Sequence, residues 1–417
     1  MKPQFPPKLM SLDDALEAVL AMAARVDAPQ TVDTFDADGR VLWEDAVSEL
    51  RVPPLDNSAM DGYAVRCADV PKAGIVLPVS QRIPAGHVGA PLAPATAARI
   101  FTGAPVPLGA DAIVMQEDTE PADGGVRINA VPKAGQWIRR AGEDIALGST
   151  ILKAGTRLTP AALGLAASIG LGQVQVARKP RVALFSTGDE LVTPGTVAPG
   201  DMPPGSIYNS NRYFLRALLQ RLGCEVTDCG IVPDNREATI RVMQDAARGH
   251  DLILSTAGVS VGEEDHVKPA VEYLGELNLW KISMKPGKPF AFGQIQRSGS
   301  SLEGSAHFMG LPGNPVSSFV TFLMLVRPFI LRLQGVQDVA PRVFPVRAHF
   351  ETRAADTRRE FLRVRQNEDG AVELFSNQSS GVLTSAVWGD GLVDNPAMTT
   401  IAKGDIVRYI PLAELLQ

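Results

Sequence analysis

The chain has 417 residues, 45% of them hydrophobic and 21% charged, and a formal net charge of −6. That is an ordinary globular composition, long enough for roughly two to four domains. Its acidic balance excludes a wholesale binder of nucleic acid or anionic membrane, while leaving room for a local basic pocket. The three cysteines, Cys67, Cys224 and Cys229, are too few for a disulfide framework and point to a reducing compartment. With no His or Cys pair nearby, Cys224 and Cys229 read as small apolar residues rather than zinc ligands.

The N-terminus lacks an apolar run and cleavage site of the secretory kind, so no signal peptide is expected. "SLDDALEAVLAMAARV" opens with Ser11 as N-cap and continues at helical spacing. From about 31 to 144, short apolar runs alternate with Pro, Gly and Asp, the pattern of many short strands. Thr159 and Pro160 then start a helix that Gly170 and Gly172 stop. It is expected to pack with the first helical segment, the strand-rich part being inserted between them.

From 180 to about 333 the rhythm becomes strand, loop, helix. "RVALFST", "CEVTDCGIV", "DLILST" and "HFMGL" read as strands. "SNRYFLRALLQRLG" reads as a helix ending at Gly223, and "DNREATIRVMQDAARG" as one capped by Asp234 or Asn235. Asn314 and Pro315 open the last helix. Such alternation means a parallel sheet covered on both faces, with ligands bound at the strand C-terminal edge. The run "FVTFLMLVRPFILRL", interrupted by Arg327 and Pro328, reads as a buried helix too short to span a bilayer. The expectation is a cytoplasmic protein with neither membrane nor nucleic-acid partners. The tail, 334–417, returns to short strands of a small barrel or sandwich.

Three loops follow the central strands. "LFSTGDELV" places Asp189 and Glu190, "LSTAGVSVGEEDH" places Ser260 and Asp265, and "GLPGNPVSS" runs into a helix N-terminus. Gly-rich turns and helix starts present N–H groups that suit phosphate. Carboxylates beside them would repel phosphate unless a divalent cation intervened, which suggests Mg2+. "KISMKPGKPFAFG" sets Lys281, Lys285 and Lys288 in an apolar run with two prolines, and reads as an anion site. Walker A, GxGxxG and GxSxG patterns are absent. Ser260 and Ser317 have no evident His partner, which disfavours a hydrolase triad.

Seven strings occur in order: "DNSAMDGYAV", "RIFTGAPVPLGADAIVMQE", "AGEDI", "FSTGDEL", "GVSVGEEDH", "KPGKPFAFG" and "GLPGNPVSS". Together they resemble the molybdopterin molybdenumtransferase family, which includes MoeA and the E domain of gephyrin. The resemblance implies a multidomain α/β plus β fold in an elongated homodimer. Domain I would be helical and dimer-forming (1–30 and 145–179), and domain II an inserted β domain (31–144). Domain III would be a doubly wound, MogA-like α/β domain (180–333), and domain IV a C-terminal β-barrel (334–417). The implied activity is insertion of molybdate into adenylated molybdopterin with Mg2+-dependent release of AMP. Other molybdenum-cofactor biosynthesis proteins are implied as further partners.

Carried over residue by residue, Asp234 and Asp265 match acids near the Mg2+ and the AMP phosphate, with Ser260 beside them. Glu190 matches an acid of the pterin pocket. Lys285, Lys288 and Ser317 match residues near molybdate, and Lys281 a further functional lysine. Asp61, Thr102 and Asp144 match domain II residues that would face the site from the partner subunit. "RREFLR" matches a family pattern through Arg358, Glu360 and Arg363, and Ser380 in "QSSG" matches a serine; Arg358 and Ser380 would complete the oxyanion pocket. Two departures stand out: Ala257 replaces a frequent glycine, and Asn209 a frequent aspartate. The competing readings are an adenylyltransferase of the neighbouring step and a scaffold of the gephyrin kind.

Overall fold

The structure, a computed structural model, describes residues 9–258, 266–297 and 304–416. Ser260 and Asp265 therefore lie outside the described residues. The chain forms two compact units, one from residues up to 30, 39–43 and 175 onward, the other from 31–38 and 44–174.

The first unit opens with helix α1 (Leu12–Ala21), whose N-cap Ser11 accepts a hydrogen bond from the Asp14 N–H at 3.0 Å. Its sheet is built from β1 (Arg181–Thr187), β2 (Glu225–Val232), β3 (Leu252–Thr256), β4 (Gly275–Lys281), β5 (Pro289–Gln296) and β6 (Ser305–Leu311). The order is β2-β1-β3-β6-β5-β4. The first four are parallel; β5 and β4 are antiparallel. The sheet is thus mixed rather than wholly parallel, because no helical crossover separates β4, β5 and β6.

Alternation along each strand assigns the faces. Val182 and Leu184 pack with Leu252 and Leu254 against α1, helix α2 (Asn211–Arg221) and the helix at 315–333. Ala183, Phe185 and Ile253 pack against α3 (Arg236–Ala247) and α4 (Val267–Leu274).

The helix from Pro315 to Leu333 is 19 residues long, and by length and composition it reaches what a membrane crossing needs, contrary to the sequence reading. Most of its apolar window, 89%, is buried inside the unit, so it is a core helix. Pro328 does not end it. A π-helical turn at Phe322–Val326 precedes the proline, shifting the hydrogen-bond ladder where the missing N–H would leave a gap.

The tail contributes β7 (Phe344–Arg347), β8 (Arg359–Gln366), β9 (Val372–Leu374), β10 (Gly391–Asn395) and β11 (Ile406–Pro411). They pair in the order β9-β8-β10-β11-β7. Just past β7, Ala348 bridges Val372 and the His349 N–H donates to the Val372 carbonyl at 2.8 Å, which closes the sheet into a barrel. Inside lie Leu362, Val364, Val393, Val407 and Tyr409. On the alternate positions Phe361, Leu392 and Ile410 join the α/β core. A short strand at Met284–Lys285 pairs with β8 at Arg359 and Glu360, tying the lysine-bearing loop to the barrel.

The second unit holds a four-stranded sheet around Gly62–Val65, a three-stranded sheet around Gly125–Ile128, and strand pairs that link Asn57–Ser58 to Ile138–Arg139 and Ala46–Val47 to Thr150–Leu152. Its helix, Pro160–Ser168, is capped by Thr159 and ends before Gly170 at φ +85°. Gly62, paired with Met115, lies so close to Val114 that a Cβ would run into the Val114 carbonyl, which fixes glycine beside Asp61. The two helical segments fall in different units, α1 in the first and Pro160–Ser168 in the second.

Candidate active site

The C-terminal ends of β1, β2, β3 and β6 deliver four loops to one edge of the sheet, as a doubly wound topology requires. A cavity of about 580 Å3 opens there, lined by Glu190, Asn209, Thr256, Ala257, Asn314 and Ser317 among others. Asn211, only 8% exposed at the start of α2, braces it. Its Nδ2 donates to Thr256 Oγ1 at 2.8 Å and to the Gly313 carbonyl at 2.7 Å. One side chain thereby ties the end of β3 to the loop after β6. Asn209 stays buried with Oδ1 accepting from the Arg212 N–H at 3.3 Å in the first turn of α2.

Asn235, not Asp234, caps α3, through the Ala238 N–H at 2.8 Å. Asp234 is released for a reciprocal exchange in which Asp189 N–H donates to Asp234 Oδ2 at 3.2 Å and Asp234 N–H to Asp189 Oδ1 at 3.3 Å. Burial pushes the Asp234 carboxyl up, the Asp189 N–H opposes this, and the charges of Asp189 and Glu190 reinforce it. Repelling carboxylates with hard oxygen donors are what a divalent cation relieves. Among the described residues, no three His, Cys, Asp or Glu side chains converge as a ready ligand set. Of the two expected metal ligands, Asp265 lies outside those residues.

The lysine loop reaches a second depression, about 490 Å3, lined by Lys288, Asp356 and Arg358. Lys285 Nζ donates to Asp356 Oδ2 at 3.1 Å and lies 3.0 Å from Glu360 Oε1. Arg358 grips Asp356 with a fork, Nε to Oδ1 at 3.1 Å and Nη2 to Oδ2 at 3.2 Å. Glu360, 6% exposed, first and Asp356 second raise the Lys285 ammonium; Arg358 first and Lys285 next hold the Asp356 carboxyl far below the usual range. Lys281 stands beside the group, paired across β4 and β5 with Pro289, and its side chain enters none of these ion pairs.

Ser380 meets the site through its backbone, its carbonyl accepting from the Val316 N–H at 2.9 Å in the first turn of the long helix. Arg363, 2% exposed, is structural instead: it donates to Ser385 Oγ at 3.1 Å and to the Phe361 carbonyl at 3.1 Å. Burial lowers its guanidinium to about 10. Missing from the sequence reading were Asp356 and Asn211. The signal for Asp356 was the Asp-x-Arg spacing to Arg358, which favours a local carboxylate–guanidinium pair.

In the second unit Asp61 Oδ1 accepts from both the N–H and the hydroxyl of Thr102, each at 2.8 Å, and these bonds hold the carboxyl low. Asp144 is exposed on a loop whose backbone bonds to Val52, and Asp56 fastens that loop through Arg140 Nη1 at 2.6 Å and the Ala141 N–H at 2.8 Å.

The sequence profiles of the MoeA N-terminal region (domain I and II), of a probable molybdopterin binding domain and of the MoeA C-terminal region (domain IV) match residues 10–170, 183–332 and 345–412. A molybdopterin molybdenumtransferase of Haemophilus influenzae is 40% identical over 416 residues, 98% of this chain and 100% of that protein. The chain belongs to the MoeA family. A Nostoc relative with the same name is 38% identical and covers 84% of the chain and 81% of its own length. A solved structure of a molybdopterin biosynthesis MoeA protein from Pyrococcus horikoshii matches with a TM-score of 0.77 at 31% identity, over 97% of this chain and 99% of its own. A second structure of MoeA from that organism reaches 0.82 at 26% identity, over 97% and 100%.

Proposed function

We propose that this MoeA-family chain is a molybdopterin molybdenumtransferase, which inserts molybdate into adenylated molybdopterin and releases AMP. The observation that carries the reading is the gathering of Lys285 and Lys288, from the loop before β5, and Arg358, from the loop before β8, around a depression suited to a small oxyanion. The larger cavity, with Ser317 in the first helical turn and Glu190 at its rim, suits the pterin and its phosphates. Asp234, with Asp265, would hold Mg2+, which would neutralise the phosphate oxygens and polarise the adenylyl phosphorus. Water attacking that phosphorus would break its bond to the bridging oxygen, so that AMP departs and the pterin keeps its phosphate; a molybdate oxygen attacking there would form an adenylyl–molybdate anhydride that water then splits to AMP, and the two pterin thiols would take the metal as one oxo group leaves as water. This chain's residues do the rest: they orient the phosphates, hold the oxyanion in reach and supply no covalent nucleophile.

The homodimer belongs to the same reading. In the second unit Phe35 is 91% exposed, and the helix Pro160–Ser168 is apolar around much of its circumference, surface that a second copy would cover. Asp61, Thr102 and Asp144 would then reach the site of the partner subunit. On the same reading the protein works in the cytoplasm.

The test is AMP release from adenylated molybdopterin that requires both molybdate and Mg2+. Asp234→Ala and Asp265→Ala should each lower the rate about 100-fold or more with an unchanged melting temperature. Release in either variant at the wild-type rate and Mg2+ requirement would remove the metal assignment.

A further inference from the structure

Asp356 already sits where an incoming oxyanion would sit. Its two oxygens accept from the Arg358 fork, from the Arg358 N–H at 3.0 Å and from Lys285 Nζ at 3.1 Å. Those are the donors a tetrahedral oxyanion would ask for: a planar guanidinium fork, a backbone amide and an ammonium. Glu360 differs. It is buried behind Lys285 and takes a further bond from Asn395 Nδ2 at 3.3 Å, so it belongs to the framework. Asp356 lies on the loop before β8 and lines the open depression itself, so a side-chain rotation is enough to vacate the seat.

From this juxtaposition we infer that Asp356 is a resident carboxylate that an oxyanion must displace, and that it sets a threshold which doubly charged tetrahedral anions pass and singly charged ones do not. The inference rests on the reading of this depression as the oxyanion seat. Three cations, Lys285, Lys288 and Arg358, face two carboxylates, Asp356 and Glu360. With Asp356 seated, the cluster keeps one net positive charge. With Asp356 rotated out to water, it exposes two, matching a dianion. A monoanion exchanges one negative charge for another and gains nothing in Coulomb energy, whereas a dianion gains an additional interaction with cations already held in place. Displacement of the resident carboxylate is thus a cost that every anion bears alike, which a dianion recovers from the cations and a monoanion does not. It leaves molybdate, tungstate and sulfate undistinguished among themselves, and screens out single charges.

The experiment compares molybdate with perrhenate, a tetrahedral oxyanion of similar size carrying one charge, by calorimetric titration of the full chain in a buffer low in chloride. Wild-type protein should prefer molybdate strongly. In Asp356→Asn, and in Asp356→Ser where no amide refills the seat, both anions should bind about tenfold or more tighter, so that perrhenate binding becomes measurable while the ratio between the two stays within about threefold. Glu360→Gln removes one charge without emptying the seat and should tighten either anion less than about threefold. Melting temperatures establish that each variant is folded. Unchanged or weakened affinity for both anions in both Asp356 variants overturns the inference and leaves Asp356 a structural clamp. If molybdate binding survives Lys285→Ala combined with Lys288→Ala, the seat itself is elsewhere and the functional reading of this depression falls with it.

Discussion

Ala257 holds a left-handed backbone, φ +73°, on the wall of the larger cavity. A side chain there costs about 1–2 kcal/mol because Cβ crowds the following carbonyl. A glycine would avoid that, at the expense of about 0.4–1 kcal/mol of extra freedom in the unfolded chain. Ala257→Gly should therefore stabilise the protein by about 0.5 kcal/mol in urea unfolding, and Ala257→Val, β-branched, should destabilise it by more than about 1 kcal/mol. His307 supplies a pH-dependent counterpart. It lies on β6 between Phe292 and Phe329, with ring centroids 6.0 and 4.9 Å away and Nδ1 buried without a partner. Burial holds its pKa below the usual value. The unfolded chain takes up the proton first as pH falls through about 6.5, so the contribution of this residue is present above that pH and lost below it. Unfolding free energies measured at neutral and mildly acidic pH should diverge less in His307→Phe than in wild type.

At the scale of elements, the site depends on loops being pinned rather than on the loops alone. Asn211 is the pin between the end of β3 and the turn after β6. Asn211→Ala leaves the Gly313 carbonyl and the Thr256 hydroxyl short of a donor, which should cost about 1–3 kcal/mol in urea unfolding. It should also weaken binding of the adenylated pterin, while tungstate or molybdate at the lysine loop binds as before. A variant that loses only stability would show that the two hold their places unaided.

The same scale explains what the sequence could and could not display. β1, β3 and the caps at Ser11, Thr159 and Asn314 are local facts, written in apolar runs and start signals, and the structure has them as read. The closing of the barrel through Ala348 and Val372 and the bond from Lys285 to Asp356, 71 residues apart, are non-local pairings with no periodic signature. The lysine cluster was legible as charge in an apolar run; that a carboxylate already neutralises its centre was not. Pro328 carried a clear interruption signal, which the π turn before it overrode.

For the whole molecule, the decisive consequence is that one catalytic centre would draw on two chains. Asp61 and Thr102 belong to the second compact unit and Lys285, Lys288 and Arg358 to the first. If the partner's second unit completes each centre, Asp61→Asn and Lys285→Ala are separately inactive for different reasons. Mixed subunits of the two kinds place both lesions in one centre and leave the other intact. Random reassortment makes half the dimers mixed, each with one working centre of two, so the equimolar mixture should recover about a quarter of wild-type AMP release. Were each centre complete within one chain, every dimer in the mixture would carry a lesion in both centres, and activity would stay at the level of the separate variants. Reassortment by unfolding and refolding, followed by isolation of differently tagged mixed dimers, measures this directly. Phe35→Asp, which charges the exposed apolar face of the second unit, should in parallel shift the protein toward monomer in sedimentation and abolish the recovery.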